Sequence, residues 1–259
     1  MQSPNSKIKD VLRMYDPISL GEMSDYKLLN RIDTKYICNV ELLPNILERS
    51  LKEFKIQQIN KERSFKYESL YYDTPQLKTY FDHHQGKRIR YKIRFRRYVD
   101  TGDVFLEIKK KQSYNRTDKR RSEFELTSKI SEEHIDFLKM HIDFPKDGLT
   151  PSIWTIFNRL TFAGINHLER VTIDTDVCFK TEDSKEIYLP NLAIIEVKRT
   201  KCGEVSPFNS ILKDLHIRPF GISKYILGNI LLAPNIKHNR FRNKVVTVNK
   251  ICHGTKFNY

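Results

Sequence analysis

Arg90-Tyr91-Lys92-Ile93-Arg94-Phe95-Arg96 is the stretch that decides the fold. Side chains of an extended chain alternate between two faces. Read as a strand, it puts Arg90, Lys92, Arg94 and Arg96 on one face and Tyr91, Ile93 and Phe95 on the other. Five further segments repeat the pattern. Arg31, Asp33 and Lys35 alternate with Ile32, Thr34 and Tyr36, and Glu107, Lys109 and Lys111 alternate with Leu106, Ile108 and Lys110. Lys119, Arg121, Glu123 and Glu125 alternate with Phe124 and Leu126. Arg170, Thr172, Asp174 and Asp176 alternate with Val171, Ile173 and Val177, and Glu196 and Lys198 with Ile195 and Val197. One such strand is what any sheet with a wet face shows. In these six, Arg, Lys, Asp and Glu dominate the polar faces, and the carboxylates share those faces with the cations. The fold class that accounts for both facts is α+β: a closed antiparallel β-barrel whose charged faces line a tunnel, with helices packed on its apolar outside. An empty lumen of like charges would be very unstable, so it is expected to hold a polyanion and divalent metal.

Helix starts punctuate the strands. Asn39 is placed to cap a helix through Leu51, with Leu42, Leu43, Ile46 and Leu47 inward. Ser131 opens a second, with Ile135, Leu138 and Met140 inward. Ser206-Pro207 sets a Ser cap with Pro in the first turn, ahead of Ile211, Leu212 and Leu215. Ser223 starts a fourth that runs to about Leu232. His83-His84, before Gln85-Gly86, read as surface histidines in a loop or hairpin turn. Tyr71-Tyr72-Asp73-Thr74-Pro75 reads as a strand ending in a turn, with Asp73 bonded to the turn backbone.

The 259 residues carry a net charge of +14, with 39% hydrophobic and 30% charged residues. A balance that basic implies an anionic partner: nucleic acid, a membrane surface or phosphorylated molecules. No stretch approaches the ~20 apolar residues of a membrane span, and the first ten residues show no apolar signal core. Cys38, Cys178, Cys202 and Cys252 are scattered without C-x-x-C spacing, which suggests free thiols in a reducing cytoplasm. The organisation expected is one domain over residues 1–259. Its core runs from about 21 to 234, and a basic tail over 235–259 includes Lys237, Arg240, Arg242, Lys244, Lys250 and Lys256.

A lumen of this kind suits phosphoryl transfer, which needs cations around the transferring group and metals bridging its oxygens. Arginine forks match phosphate oxygens, and lysines add point charge. Carboxylates are the usual ligands of Mg²⁺ or Mn²⁺. Glu196, two residues from Lys198, and Glu107, two residues from Lys109, are the candidate metal ligands, although E-x-K on a strand is equally a cross-strand ion pair. Arg31, Lys92 and Lys198 share the charged faces and are candidate substrate contacts. Ser223-Lys224-Tyr225 at a helix start is a second phosphate candidate. No G-x-x-x-x-G-K-[ST] or G-x-G-x-x-G occurs, which excludes P-loop and Rossmann nucleotide sites.

These segments, in this order, resemble the polyphosphate polymerase (VTC) domain of the vacuolar transporter chaperone family, within the triphosphate tunnel metalloenzyme superfamily. The pieces are Arg31-Ile32-Asp33-Thr34-Lys35-Tyr36, Ser69-Leu70-Tyr71-Tyr72-Asp73-Thr74-Pro75, Lys92-Ile93-Arg94-Phe95-Arg96 and Phe105-Leu106-Glu107-Ile108-Lys109. They continue with Asn158-Arg159, Arg170-Val171-Thr172-Ile173-Asp174-Thr175, Ile195-Glu196-Val197-Lys198 and Ser223-Lys224-Tyr225. The resemblance spans residues 25 to 230 and is to a stand-alone, bacterial version. It implies a tunnel-shaped barrel in which Lys35, Arg94, Arg96, Lys109, Arg159, Arg170, Ser223 and Lys224 hold the phosphate chain. It implies that Glu196 binds Mn²⁺ or Mg²⁺ and that ATP gives its γ-phosphate to a growing polyphosphate. Where eukaryotic members often carry another lysine before S-K-Y, this chain has Gly221-Ile222, which leaves one phosphate contact in doubt. With no membrane span, coupled translocation would require a membrane-protein partner.

Two other functions compete with an ATP–polyphosphate phosphotransferase. A triphosphatase acting on tripolyphosphate or a nucleoside or RNA 5′-triphosphate would need a carboxylate to activate water, and Glu107, Glu123 or Glu125 could serve. Such hydrolases usually show a fuller E-x-E-x-K where this chain has Arg31-Ile32-Asp33-Thr34-Lys35. A non-catalytic polyanion-binding module is the third reading. Nucleic acid is disfavoured as its ligand, because the basic faces lack interleaved aromatics for base stacking.

Overall fold

The computed structural model describes residues 4–25, 31–112, 117–143, 145, 148–200 and 205–253. Cys202 and Lys256 lie outside the described residues. Among the described residues eleven strands form one sheet: β1 (Pro17–Ile18), β2 (Arg31–Asn39), β3 (Phe54–Gln57), β4 (Phe65–Asp73), β5 (Arg90–Tyr98), β6 (Val104–Lys111), β7 (Thr117–Glu123), β8 (Thr150–Gly164), β9 (Glu169–Lys180), β10 (Glu186–Leu189) and β11 (Leu192–Thr200). The helices are α1 (Pro4–Arg13), α2 (Leu43–Ser50), α3 (Lys78–Gln85), α4 (Glu132–Lys139), α5 (Pro207–Asp214), α6 (Lys224–Leu232) and α7 (Arg242–His253). Among the described residues no helix is long and apolar enough to cross a membrane.

The main path runs β2-β11-β9-β8-β4-β5-β6-β7, and every neighbouring pair on it is antiparallel. The register lines the charged positions up: Lys35 opposite Glu196, Glu196 opposite Thr172, Arg159 opposite Asp174, and Arg94 opposite Glu107. Residues from the two edge strands, β2 and β7, line one and the same cavity, so the sheet is curled. The antiparallel tunnel fold expected is present as a half-barrel: no ladder joins β2 to β7 among the described residues. Burial and then Arg94 lower the Lys109 pKa, and the Asp33 carboxylate on the other side of the seam pulls against them.

The alternate faces of these strands form the core. Tyr36, Cys38, Phe162, Val171, Ile173, Ile195 and Val197 pack beneath α1, α2 and α5. Leu70, Tyr72, Ile93, Phe95, Leu106 and Ile108 pack beneath α4 through Phe137 and Leu138. Asn39, Ser131, Ser206 and Ser223 all sit at the helix starts expected of them. Met140, expected inward, is 71% exposed because α4 ends at Lys139, and His134 takes the buried place.

The inner face is charged along most of its length and turns apolar at one end, where Ile37, Phe157, Val177, Phe179 and Ile194 cluster with Leu227 of α6. That change of face character seats α6 inside the half-barrel. Its closest approach is at Gly228, where an added Cβ would lie 2.6 Å from the Ile153 Cδ1 and 2.7 Å from the Phe179 ring. Overpacking of this kind costs about 1–3 kcal/mol. Gly228→Val is therefore expected to lower the melting temperature by several degrees, read by calorimetry; an unchanged transition would mean that α6 is not wedged against the sheet.

Two regions depart from the sequence reading. The basic stretch after Pro234 is not a tail: residues 242–253 form α7, which buries Val248 and Cys252. Phe241, Val245, Val248 and Cys252 stand at helical spacing, and their burial outweighs the dispersing effect of the charges between them. His83 and His84 lie on α3, with His84 buried. The Asp73 carboxylate caps α3 by accepting the N–H groups of Thr79 and Tyr80 together with the Thr79 hydroxyl and the Tyr225 phenol. Gly86, at φ 75°, closes the helix in the left-handed conformation.

Candidate functional site

Three carboxylates organise the charged lumen. Glu107, 2% exposed, accepts Arg94 Nε at 2.9 Å and Nη2 at 2.6 Å on one oxygen, while Lys119 Nζ lies 2.6 Å from the other. Arg96 approaches the same group at 4.0 Å. Asp174 takes a two-pronged contact from Arg159, Nε to Oδ1 at 2.6 Å and Nη2 to Oδ2 at 2.8 Å, and also binds Lys224. Glu196 is held by Lys35 on one oxygen and Lys198 on the other. Burial alone would push Glu107 and Asp174 up; the arginines and lysines around them outweigh it and hold both well below the usual carboxylate range. Seven cations thus surround three carboxylates, and the excess positive charge is the lumen's main electrostatic feature.

Aromatic rings from β4 and β8 support the arginines. Arg94 Nη1 donates to the Tyr71 hydroxyl at 2.7 Å. Arg96 lies over Tyr67, and Arg159 lies over both Tyr67 and Phe157. Lys224 sits 4.1 Å from the Phe157 ring centre. These contacts preorganise the forks without using up all their N–H donors. Tyr67 and Tyr71 escaped the sequence reading. Their place with Ser69 on one face of a period-two strand was the signal, but the stretch was read for the turn at its end.

All thirteen candidate residues converge. Arg31, Lys92, Arg94, Arg96, Glu107, Lys109, Arg159, Arg170, Glu196 and Lys198 line a tunnel of about 580 Å³. Lys35 and Ser223 line a cavity of about 370 Å³ at one end, which meets the tunnel at Asp33 and Lys92. Lys224 is buried against Asp174. Lys92 Nζ donates to the Ser223 hydroxyl at 2.7 Å, tying β5 to the start of α6. A helix N-terminus favours an anion, and this one stands at the junction with its Ile226 N–H donated to the Ser223 hydroxyl. Lys119 and Arg121 belong to the same lining. Beside Gly221, Lys244 of α7 donates to the Gly221 carbonyl, and its ammonium lies 3.6 Å from where a Cβ on Gly221 would be.

Burial, and then the neighbouring cations Lys109, Arg94 and Arg90, lower Lys92 to about 7. Burial also lowers Lys224 to about 8, against the pull of Asp174. Both groups hold their protons less tightly than in the unfolded chain, where 10.5 is the ordinary value. The unfolded state therefore binds more protons between about pH 7 and 10, and stability rises with pH there. A bound triphosphate reverses the effect by restoring the charged lysines. The ligand-free protein should melt higher at pH 9 than at pH 7, and tripolyphosphate should abolish that difference. Binding at pH 8.5 should take up on the order of one proton, measured by calorimetry in two buffers of different ionisation enthalpy. A flat melting profile with no proton uptake would place these lysines in solvent.

The donor set for a metal is narrow. Among the described residues no three His, Cys, Asp or Glu side chains converge. Glu107, expected beside Glu196 as a metal ligand, is enclosed by Arg94, Arg96 and Lys119 and acts as their counter-ion. Glu196 is also ion-paired, but only to lysines, and its side chain is 17% exposed against 2% for Glu107, so it fits the role better. Directly across the ladder, Thr172 keeps its Oγ1 buried without a hydrogen-bond partner. One carboxylate suffices for Mg²⁺ or Mn²⁺ when phosphate oxygens and water complete the shell.

The profile of the VTC domain family matches residues 30–232. No curated protein matches the chain in sequence. Among solved structures, a candidate adenylate cyclase from Bacillus halodurans is 13% identical, covers 75% of this chain and 96% of its own length, and superposes with a TM-score of 0.48. A Hippeastrum protein described as a candidate adenylyl cyclase with a dominant triphosphatase activity is 14% identical, covers 81% of this chain and all of its own, and gives 0.46. The PH1819 protein from Pyrococcus horikoshii OT3 is 16% identical, covers 76% and 94%, and gives 0.42. These values describe a loose likeness and say nothing about what this chain acts on.

Proposed function

The chain belongs to the VTC domain family, and on that footing we propose that it is a metal-dependent phosphotransferase that builds inorganic polyphosphate from ATP. A terminal oxygen of the polyphosphate attacks the γ-phosphorus of ATP in line. The bond to the β–γ bridging oxygen breaks, and ADP leaves. Nucleophile and leaving group are both phosphate oxyanions, so no proton has to be abstracted.

The observation that carries this reading is the ion pairing of the carboxylates deepest in the tunnel. Glu107 and Asp174 are fixed by guanidinium and ammonium groups and held well below the usual carboxylate range. Neither is matched to deprotonate water near pH 7. A tunnel lined by paired carboxylates and surplus cations favours an acceptor that is already an anion. Arg94, Arg96, Arg159 and Arg170 would hold the equatorial oxygens and bridging phosphates, with Lys35, Lys92, Lys109, Lys198 and Lys224 adding charge. Arg31 extends the ladder toward the far mouth. Mg²⁺ or Mn²⁺ on Glu196 would neutralise charge on the β- and γ-phosphate oxygens.

Incubation with ATP and Mn²⁺, followed by a urea gel stained for polyphosphate, tests the proposal. A ladder of long chains with ADP is expected. Free phosphate without a ladder would make the protein a triphosphatase, and binding without turnover would make it a polyanion module.

A further inference from the structure

The tunnel and its end cavity differ in chemistry. Eleven Lys and Arg residues line the tunnel against five Asp and Glu, with room for a chain of phosphates and no need of an apolar partner. The end cavity is amphipathic. Its lining combines the cations Lys35, Lys92, Lys111 and Lys244 with the apolar side chains of Ile222, Phe241 and Val245. Phe241 and Val245 lie beyond residue 232, outside the part of the chain that matches the family. An apolar wall gives a polyphosphate nothing to bind, whereas a nucleoside triphosphate has both an aromatic plate and an anionic tail.

We infer that this cavity, built by α3, α6 and α7, receives the base and ribose of the nucleotide donor, whose phosphates then enter the tunnel past Lys92 and Ser223. The inference rests on the reading of the tunnel as a triphosphate site. It fixes the tunnel's polarity: the nucleotide enters beneath α7, and the polymer occupies the opposite mouth near Arg31, Arg170 and the 98–103 turn. The Phe241 ring lines the wall, and a base stacked on it would take the place of the Lys244 ammonium, now 5.9 Å from the ring centre. Beside it His83, with ring centres 5.8 Å apart at 88°, keeps its Nδ1 buried without a hydrogen-bond partner. A buried polar atom of that kind calls for a partner, and a ribose hydroxyl or a base nitrogen would supply one. The cavity's volume accommodates a nucleoside, with its anionic end toward Lys92.

Photolabelling with 8-azido-ATP tests the assignment on the unaltered protein. The label is expected on the 78–86 or 239–253 segments and should be blocked by excess ATP. Phe241→Ala is expected to weaken ATP binding about tenfold, the usual worth of one base–aromatic stack, while tripolyphosphate binds within twofold of wild type. That second measurement also reports that the variant is folded. Labelling confined to the 98–103 turn would overturn the inference and leave the tunnel reading intact. So would equal effects of Phe241→Ala on the two ligands, or wild-type protein that binds tripolyphosphate but takes no label. Wild-type protein that binds neither ligand would sink the tunnel reading along with it.

Discussion

Glu196→Gln is expected to lower ATP-dependent phosphoryl transfer by about a hundred- to a thousandfold, the range seen when one electrostatic element of a polar active site is removed. The substitution preserves shape and removes only the charge that Lys35 and Lys198 grip and that a metal would use. Its cost to stability should be modest, about 1–3 kcal/mol for an uncompensated buried group. The two lysines can shed protons in place of their partner: burial and neighbouring cations already lower them to about 6 and 7. Tripolyphosphate binding measured without metal should survive, and the dependence of turnover on Mn²⁺ concentration should flatten. Full activity with an unaltered Mn²⁺ profile would remove Glu196 from metal binding.

Arg94→Ala should have the largest effect on binding. Arg94 touches both the Glu107 counter-ion and the Tyr71 hydroxyl, and it stands on the strand whose alternation defines the lumen. Truncating one member of a desolvated charged contact costs about 2–5 kcal/mol in affinity, a thirtyfold to several-thousandfold weakening for tripolyphosphate. Stability should move far less. Glu107 keeps Lys119 and Arg96 as partners, and one cation is removed from a crowded lumen. Titration calorimetry and a melting curve on the same sample separate the two effects. Unchanged affinity with a large loss of stability would make Arg94 a structural residue.

Much of the site was legible because strand periodicity is a local property. The alternation at Arg90–Arg96 assigns each side chain to a face without knowledge of any partner strand, and the same holds at Lys35, Lys109 and Glu196. The alternation also fails locally. At Asp176, where φ is 52°, the β8–β9 register shifts between Ile156 and Asn158. Val177, read as facing away from the charged positions, instead joins the apolar end cluster with Phe179 and Leu227. A bulge of one residue exchanges the faces of everything beyond it, and no residue near Asp176 announces it. The role of Glu107 is open in the sequence for a related reason. Its E-x-K spacing is compatible with a metal ligand or an ion pair, and only the approach of Arg94 from β5 and Lys119 from β7 decides between them.

The sequence by itself determined which side chains share a strand face, where four helices begin, and that the chain carries more positive charge than its own carboxylates can balance. Those properties follow from backbone periodicity, capping chemistry and net charge, which act within a few residues or sum over all of them. Tertiary structure alone decided that the sheet stops short of closing, that α6 fills its apolar end, and which cations neutralise which carboxylate. It also turned the basic C-terminal stretch into the wall of a second cavity, because burial of Phe241, Val245, Val248 and Cys252 depends on surfaces of α3, α6, β2 and β11 that lie far away in the chain.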